Sequence, residues 1–135
     1  MTMRKVADVN VAAEDLLPTP RQIKSQLPIS EQAANVVFEA RQTLQNILDA
    51  EDQRLFLVVG PCSIHELASA REYAKRLGQL AQQVADTFVL VMRVYFSKPR
   101  TTTGWKGFIN DPQLDDSFQI DRGLYEARAF LLELA

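Results

Sequence analysis

Gly60-Pro61-Cys62-Ser63-Ile64-His65 holds the only cysteine and the only histidine of the sequence, three residues apart. A thiolate can ligate a metal or attack as a nucleophile, and imidazole can do either or carry protons. Spacing alone leaves three readings open. A catalytic Cys62–His65 pair needs the side chains to meet across a turn, with a third group to orient the base. A metal site needs two or three further ligands, which no Cys/His spacing here supplies. The plainest reading is a small buried thiol beside a histidine that caps a helix.

A second cluster is one of charge. Between Thr87 and Ile109 lie four bases, Arg93, Lys98, Arg100 and Lys106, and none of the chain's 17 acids. Arg100 can grip a phosphate or carboxylate through two parallel hydrogen bonds, and Lys98 acts as a compact point charge. Pro99 stiffens the link between them, so less entropy is lost when both are fixed on a ligand. Thr101, Thr102 and Thr103 add hydroxyl donors, and Gly104 lets backbone come close. A solvated basic loop is the plainer account, but Arg93 sits in an otherwise apolar run, and a buried charge needs a partner. Gly104-Trp105-Lys106-Gly107-Phe108 reads as a loop pinned by a buried indole. Base stacking is disfavoured, because acids follow at Asp111, Asp115, Asp116 and Asp121.

Both clusters fall where strands should end. Leu55–Val59 is a five-residue apolar run stopped by Gly60-Pro61, the pattern of a strand buried on both faces of a parallel sheet. Phe88–Phe96 is a second such run, with Arg93 its only charge. A helix is expected from Ser30, a good N-cap, through Ala33, Val37, Ala40, Leu44, Ile47 and Leu48. Another carries Leu67, Ala70, Tyr73, Ala74, Leu77, Leu80, Ala81 and Val84, with Ser63 and Glu66 in capping-box spacing ahead of it. A third begins near Asp121, after a polar loop of 24 residues, Ser97 to Ile120, a length usually tied to function.

Strands alternating with helices make βαβ units around a parallel sheet. Ligands of such sheets and barrels bind beyond the carboxyl ends of the strands, where both clusters lie. Residues 1–29 read as an extension: Pro18, Pro20 and Pro28 break any long helix, while Leu16, Leu17, Ile23 and Leu27 offer anchors for packing on this chain or a neighbouring subunit. An unstructured first dozen residues is the alternative. Two strands cannot close such a sheet, and the last helical period is still running at Ala135. The expectation is the N-terminal piece of a longer α/β protein; a complete small domain is the competing reading.

Composition narrows the class. With 135 residues, 47% hydrophobic and 24% charged, the chain can order a core. A net charge of −2 argues against a basic nucleic-acid binder. The run Phe88–Met92 is far short of the ~20 residues that span a bilayer. Met1–Asn10 has no apolar stretch of a signal peptide. One cysteine makes no internal disulfide and fits a reducing compartment, so a cytoplasmic protein with no membrane partner is expected.

Read in order, the segments 60–65, Met92-Arg93-Val94-Tyr95-Phe96, Lys98-Pro99-Arg100-Thr101-Thr102, Gly104-Trp105-Lys106-Gly107 and Ile109-Asn110-Asp111-Pro112 closely resemble the N-terminal part of the microbial, aromatic-amino-acid-regulated DAHP (3-deoxy-arabino-heptulosonate 7-phosphate) synthases. The resemblance runs from about Asp15 to the last residue. It implies the N-terminal portion of a (β/α)8 TIM barrel: an extension over 1–29 for subunit contact and regulation, then the first two βα units over 30–135. It implies a transferase that condenses phosphoenolpyruvate with erythrose 4-phosphate at the head of aromatic amino-acid biosynthesis. Feedback by an aromatic amino acid, a divalent metal (Mn, Fe, Co or Zn) and a homo-oligomer (dimer or tetramer) come with it. On the matching motifs, Cys62 is a metal ligand. Arg93 and Lys98 hold phosphoenolpyruvate, with Lys98 also the proton donor to the aldehyde oxygen. Pro99, Arg100 and Thr101 position erythrose 4-phosphate.

The chain departs from the family pattern at Glu66, usually Asp, at Ser97, usually Glu, and at Thr103, usually Val. None of these changes removes a cation. The family's other metal ligands, a His, a Glu and an Asp, come from later strands, so these residues alone are expected to be inactive. Three alternatives compete: an octulosonate-phosphate synthase using arabinose 5-phosphate, a non-catalytic regulatory or oligomerisation module carried by the arm, and, last, a thiol enzyme built on Cys62 and His65.

Overall fold

Leu55–Val59 (β1) and Phe88–Met92 (β2) pair in parallel without stagger, Leu55 beside Phe88 and Val59 beside Met92. The computed structural model that shows this describes residues 7, 9–11, 14–98 and 103–135. Most of the first dozen residues, and with them the alternative of an unstructured start, lie outside the described residues. Around the strands run four helices: Pro20–Gln26 (α1), Glu31–Leu48 (α2), Leu67–Gln83 (α3) and Ile120–Leu134 (α4). The result is a mixed α/β chain with a short parallel sheet.

Local chemistry accounts for the helix starts. Ser30 caps α2, its hydroxyl accepting from the Ala33 amide at 3.1 Å. Pro20, expected only to interrupt, instead occupies the first turn of α1, where a missing amide costs nothing. Thr19 and Gln22 complete a capping box there, the Thr19 amide donating to the Gln22 side chain at 2.8 Å. Within the 1–29 stretch Ile23 is buried, and Arg128 of α4 donates to the Leu27 carbonyl at 2.8 Å.

Three expectations need correction. The capping box of Ser63 and Glu66 does not form: Glu66 is the N-cap of α3 and makes no capping bond, its carboxylate accepting instead from the Ser69 hydroxyl. The preceding loop is pinned elsewhere, with Ile64 buried and its amide bonded to the Tyr95 carbonyl at 2.7 Å, so the helix starts only after it. β2 ends at Met92 rather than Phe96. Its neighbour runs out at Gly60-Pro61, and the last rung is Arg93 N–H to the Val59 carbonyl at 2.7 Å. Finally, β1 is not buried on both faces: Leu55 is 60% and Val58 56% exposed. Among the described residues the sheet has two strands, so β1 is paired along one edge only.

The core therefore sits at the carboxyl ends of the strands. Ile64, Ala70, Phe96, Phe108, Ala127 and Phe130 form one buried cluster. Phe96 packs against Phe108 at 5.8 Å and edge-on to Phe130 at 6.3 Å between ring centroids. This cluster draws together the loop after β1, the segment after β2 and helix α4. The carboxyl-end loops rest on a packed base.

Candidate functional site

The parallel pairing brings the loop after β1 and the loop after β2 out on the same side. Gly60 makes the junction. A Cβ there would overlap the Arg93 carbonyl oxygen and stand 2.9 Å from the Arg93 Cβ, so only glycine lets the two backbones lie this close. Beyond it, Arg93 reaches back across the strands. Its Nη1 donates to the carbonyl oxygens of Pro61 and Cys62, each at 2.7 Å. Its guanidinium carbon lies 4.5 Å from the centroid of the Tyr95 ring.

Lys98 comes from the start of a short hairpin. Ser97 bridges Gly107 in antiparallel fashion, the Lys98 amide donates to the Lys106 carbonyl at 2.8 Å, and the Phe108 amide donates to Phe96 at 2.7 Å. Gly107 has φ +124°, and a side chain there would strike the backbone of Phe96 and Ser97. Trp105, half-buried, donates its indole N–H to the Asp111 carbonyl at 2.8 Å, the pinned loop expected from the sequence. Asp111 is buried, and its carboxylate accepts from the amides of Asp115 at 3.4 Å and Asp116 at 3.3 Å. These bonds hold the hairpin base so that the Lys98 Nζ lies 3.2 Å from the Cys62 Sγ.

Three of the residues singled out by sequence thus meet at one residue. Arg93 grips the backbone of Cys62, and Lys98 faces its thiol. Neither cation forms an ion pair with a carboxylate among the described residues. Two cations within reach of one exposed loop, with no carboxylate partner among the described residues, are an arrangement that can hold an anion. Pro99, Arg100 and Thr101, expected to hold the second anion, lie outside the described residues, as does Thr102. The Cys62–His65 pair does not form among them: His65 is exposed and the thiol's partner is Lys98.

For a divalent metal, the chain offers one soft donor. The Cys62 thiol is exposed and chemically suited to Zn, Fe or Co, but no group of three His, Cys, Asp or Glu gathers among the described residues. One thiolate is not a site for an ion that takes four or more ligands.

Two neighbours have roles that the sequence does not assign them. Tyr95 stands two residues after Arg93, the spacing that puts both on one face of extended chain. Asp111 looks like one more surface acid until its backbone donors are seen. Elsewhere an apolar cleft of about 410 Å³ opens between α2, α3, β2 and α4, lined by Val37, Leu44, Leu77, Val91 and Leu134 among others. No helix among the described residues is long and apolar enough to cross a membrane.

Fold and site together define an α/β protein that gathers fixed positive charge beside a thiol at the carboxyl ends of parallel strands. Residues 26–132 match the DAHP synthetase I family, and the chain belongs to that family. It is 49% identical over 127 residues to the Tyr-sensitive phospho-2-dehydro-3-deoxyheptonate aldolase of Escherichia coli strain K12, covering 94% of this chain and 36% of that one. With the Phe-sensitive protein of the same organism it shares 51% over 121 residues, covering 90% of this chain and 34% of that one. The structure of phospho-2-dehydro-3-deoxyheptonate aldolase from Francisella tularensis SCHU S4 superimposes with a TM-score of 0.85 at 41% identity, over 93% of this chain and 37% of that one. The chain spans little more than a third of the length of these relatives.

Proposed function

We propose that this chain is the N-terminal part of a (β/α)8-barrel DAHP synthase, with residues 1–29 an extension for subunit contact and regulation and residues 30–135 the first two βα units. The exposed apolar faces of β1 support the barrel, because parallel strands are found covered on both faces. The activity is the condensation of phosphoenolpyruvate with erythrose 4-phosphate and water to give DAHP and inorganic phosphate. The names of the relatives, Tyr-sensitive and Phe-sensitive, support feedback by an aromatic amino acid. The whole enzyme is a cytoplasmic homo-oligomer, a dimer or tetramer, and these residues alone are inactive.

The observation that carries the reading is the pair Arg93 and Lys98 converging on Cys62 with no carboxylate among the described residues to neutralise them. Both substrates are anions that repel one another, and fixed cations lower the barrier by holding them together in advance. Arg93 and Lys98 hold phosphoenolpyruvate. Lys98 also gives a proton to the aldehyde oxygen as the enol carbon attacks the carbonyl carbon. Water then adds at the carbon bearing the phosphate, and the C–O bond to phosphate breaks. Pro99, Arg100 and Thr101 position erythrose 4-phosphate, with Arg100 on its phosphate.

Cys62 would supply one ligand to a divalent ion, the others coming from later strands of the whole enzyme. When bound, such an ion polarises a carbonyl oxygen.

Calorimetry on the intact enzyme tests the reading: phosphoenolpyruvate titrated in with manganese or cobalt present should release heat. No heat refutes it. Arg100→Ala should raise KM for erythrose 4-phosphate with little change for phosphoenolpyruvate, and unchanged saturation by the aldose would remove Arg100 from its role. Turnover of arabinose 5-phosphate in preference to erythrose 4-phosphate would transfer the chain to the octulosonate class.

A further inference from the structure

The Arg93 guanidinium has five N–H donors, and its Nη1 is fully committed to the carbonyls of Pro61 and Cys62. Among the described residues its other edge, Nε with Nη2, has no partner. That edge presents two parallel N–H groups, the geometry that matches two oxygens of a carboxylate or phosphate. A guanidinium on a flexible stem presents such an edge usefully only if its plane is fixed. Both Nη1 N–H bonds lie in the guanidinium plane, so the two carbonyls set that plane, but only within the roughly 30° of bending that a hydrogen bond tolerates at each acceptor. The Tyr95 ring, with the guanidinium carbon over it 4.5 Å from the centroid, narrows that remaining range from one side.

We infer that Tyr95 is a positioning residue that steadies the plane of Arg93 for two-oxygen recognition of phosphoenolpyruvate, an inference that rests on the anion-site reading of Arg93 above. The choice of an aromatic ring has a physical reason. A carboxylate would hold the guanidinium as firmly, but it would neutralise the charge and compete with the incoming anion for the same donors. A ring face and two carbonyl oxygens hold the cation while leaving it its full charge. Tyr95 is itself well placed for this, because its own backbone is fixed: its carbonyl accepts the Ile64 amide at 2.7 Å, tying the segment after β2 to the loop that carries Cys62.

Steady-state kinetics of the intact enzyme test the inference, with each substrate varied in turn. Tyr95→Leu should raise KM for phosphoenolpyruvate about 3- to 10-fold, the range of a partly exposed cation–π contact, while KM for erythrose 4-phosphate stays within about 2-fold. Tyr95→Phe keeps the ring face and should stay within about 2-fold of the parent for both. In an Arg93→Ala background, adding Tyr95→Leu should change KM for phosphoenolpyruvate no further, since nothing remains to orient. The inference is overturned if Tyr95→Leu leaves that KM unchanged, if it raises both KM values together, if Tyr95→Phe raises it as much as leucine does, or if its effect persists in full without Arg93. If Arg93→Ala alone leaves KM for phosphoenolpyruvate unchanged, the anion-site reading of Arg93 falls, and the role of Tyr95 with it.

Discussion

The ammonium of Lys98 stands 3.2 Å from the sulfur of Cys62, although 36 residues separate them in the chain. The contact needs two loops to meet, and the parallel pairing of β1 and β2 is what brings them to the same side. It places the proposed proton donor beside the proposed metal ligand.

Lys98→Met should therefore lower kcat of the intact enzyme roughly 100-fold or more, the scale of removing a charge that acts on the reacting oxygen. Its effect on thermal stability should be small, because among the described residues the ammonium is tied only to the thiol. Wild-type turnover in Lys98→Met would remove the residue from the chemistry.

Gly60→Ala should destabilise the protein by about 1–3 kcal/mol, the usual cost of forcing extra volume into a packed place. The new methyl group would overlap the Arg93 carbonyl oxygen, a backbone atom that cannot swing aside. Urea denaturation measures this, and a midpoint equal to the parent's would mean that the strands part more easily than their geometry implies.

Phe130, 1% exposed, is the ring on which the loop core rests, and Phe130→Ala should cost about 3–5 kcal/mol. Phe38→Ala on α2, where the ring is 68% exposed, should stay within about 0.5 kcal/mol. Equal losses from the two substitutions would place the core elsewhere.

Glu133 of α4 is held below its ordinary carboxyl pKa of 4.5, chiefly because its carboxylate accepts a hydrogen bond from Arg71 of α3, with partial burial opposing. A carboxyl whose pKa falls on folding adds stability while it is ionised in both states, above about 4.5. That contribution is lost as pH falls through the lowered folded-state value. Arg71→Met should thus flatten the acid side of the stability–pH curve and leave its slope near neutrality alone. Parallel curves for parent and variant would show that the pair does not couple α3 to α4.

Much of this arrangement is legible in the residues themselves. β1 can be read to the residue, since five apolar side chains end at a Gly-Pro pair whose proline has no amide to donate onward. Ser30 marks the start of α2 because its hydroxyl has one obvious use there. The convergence of Arg93 and Lys98 on Cys62 follows from placing both clusters after parallel strands. What escapes is set by tertiary contact. Ser63 and Glu66 have the spacing of a cap, yet burial of Ile64 takes that loop into the core and delays the helix. Phe88–Phe96 has the composition of one strand, but past Arg93 the strand partner runs out, and the segment bonds instead to the loop after β1 and to the hairpin, with Phe96 entering the cluster. Tyr95 escapes because an aromatic after a strand is usually packing, and only its distance from the guanidinium reveals another use.

The unstaggered match of β1 with β2 also bears on which insertions and deletions such a protein tolerates. Side chains along extended backbone alternate between two sides, so gaining or losing one residue between Phe88 and Arg93 would swing the arginine to the far side, away from Cys62. Length change is barred from that short span, while the distal turn between α3 and β2, remote from the carboxyl ends, is free to lengthen. A family under this constraint would vary in size at one end of its strands and keep strict count at the other.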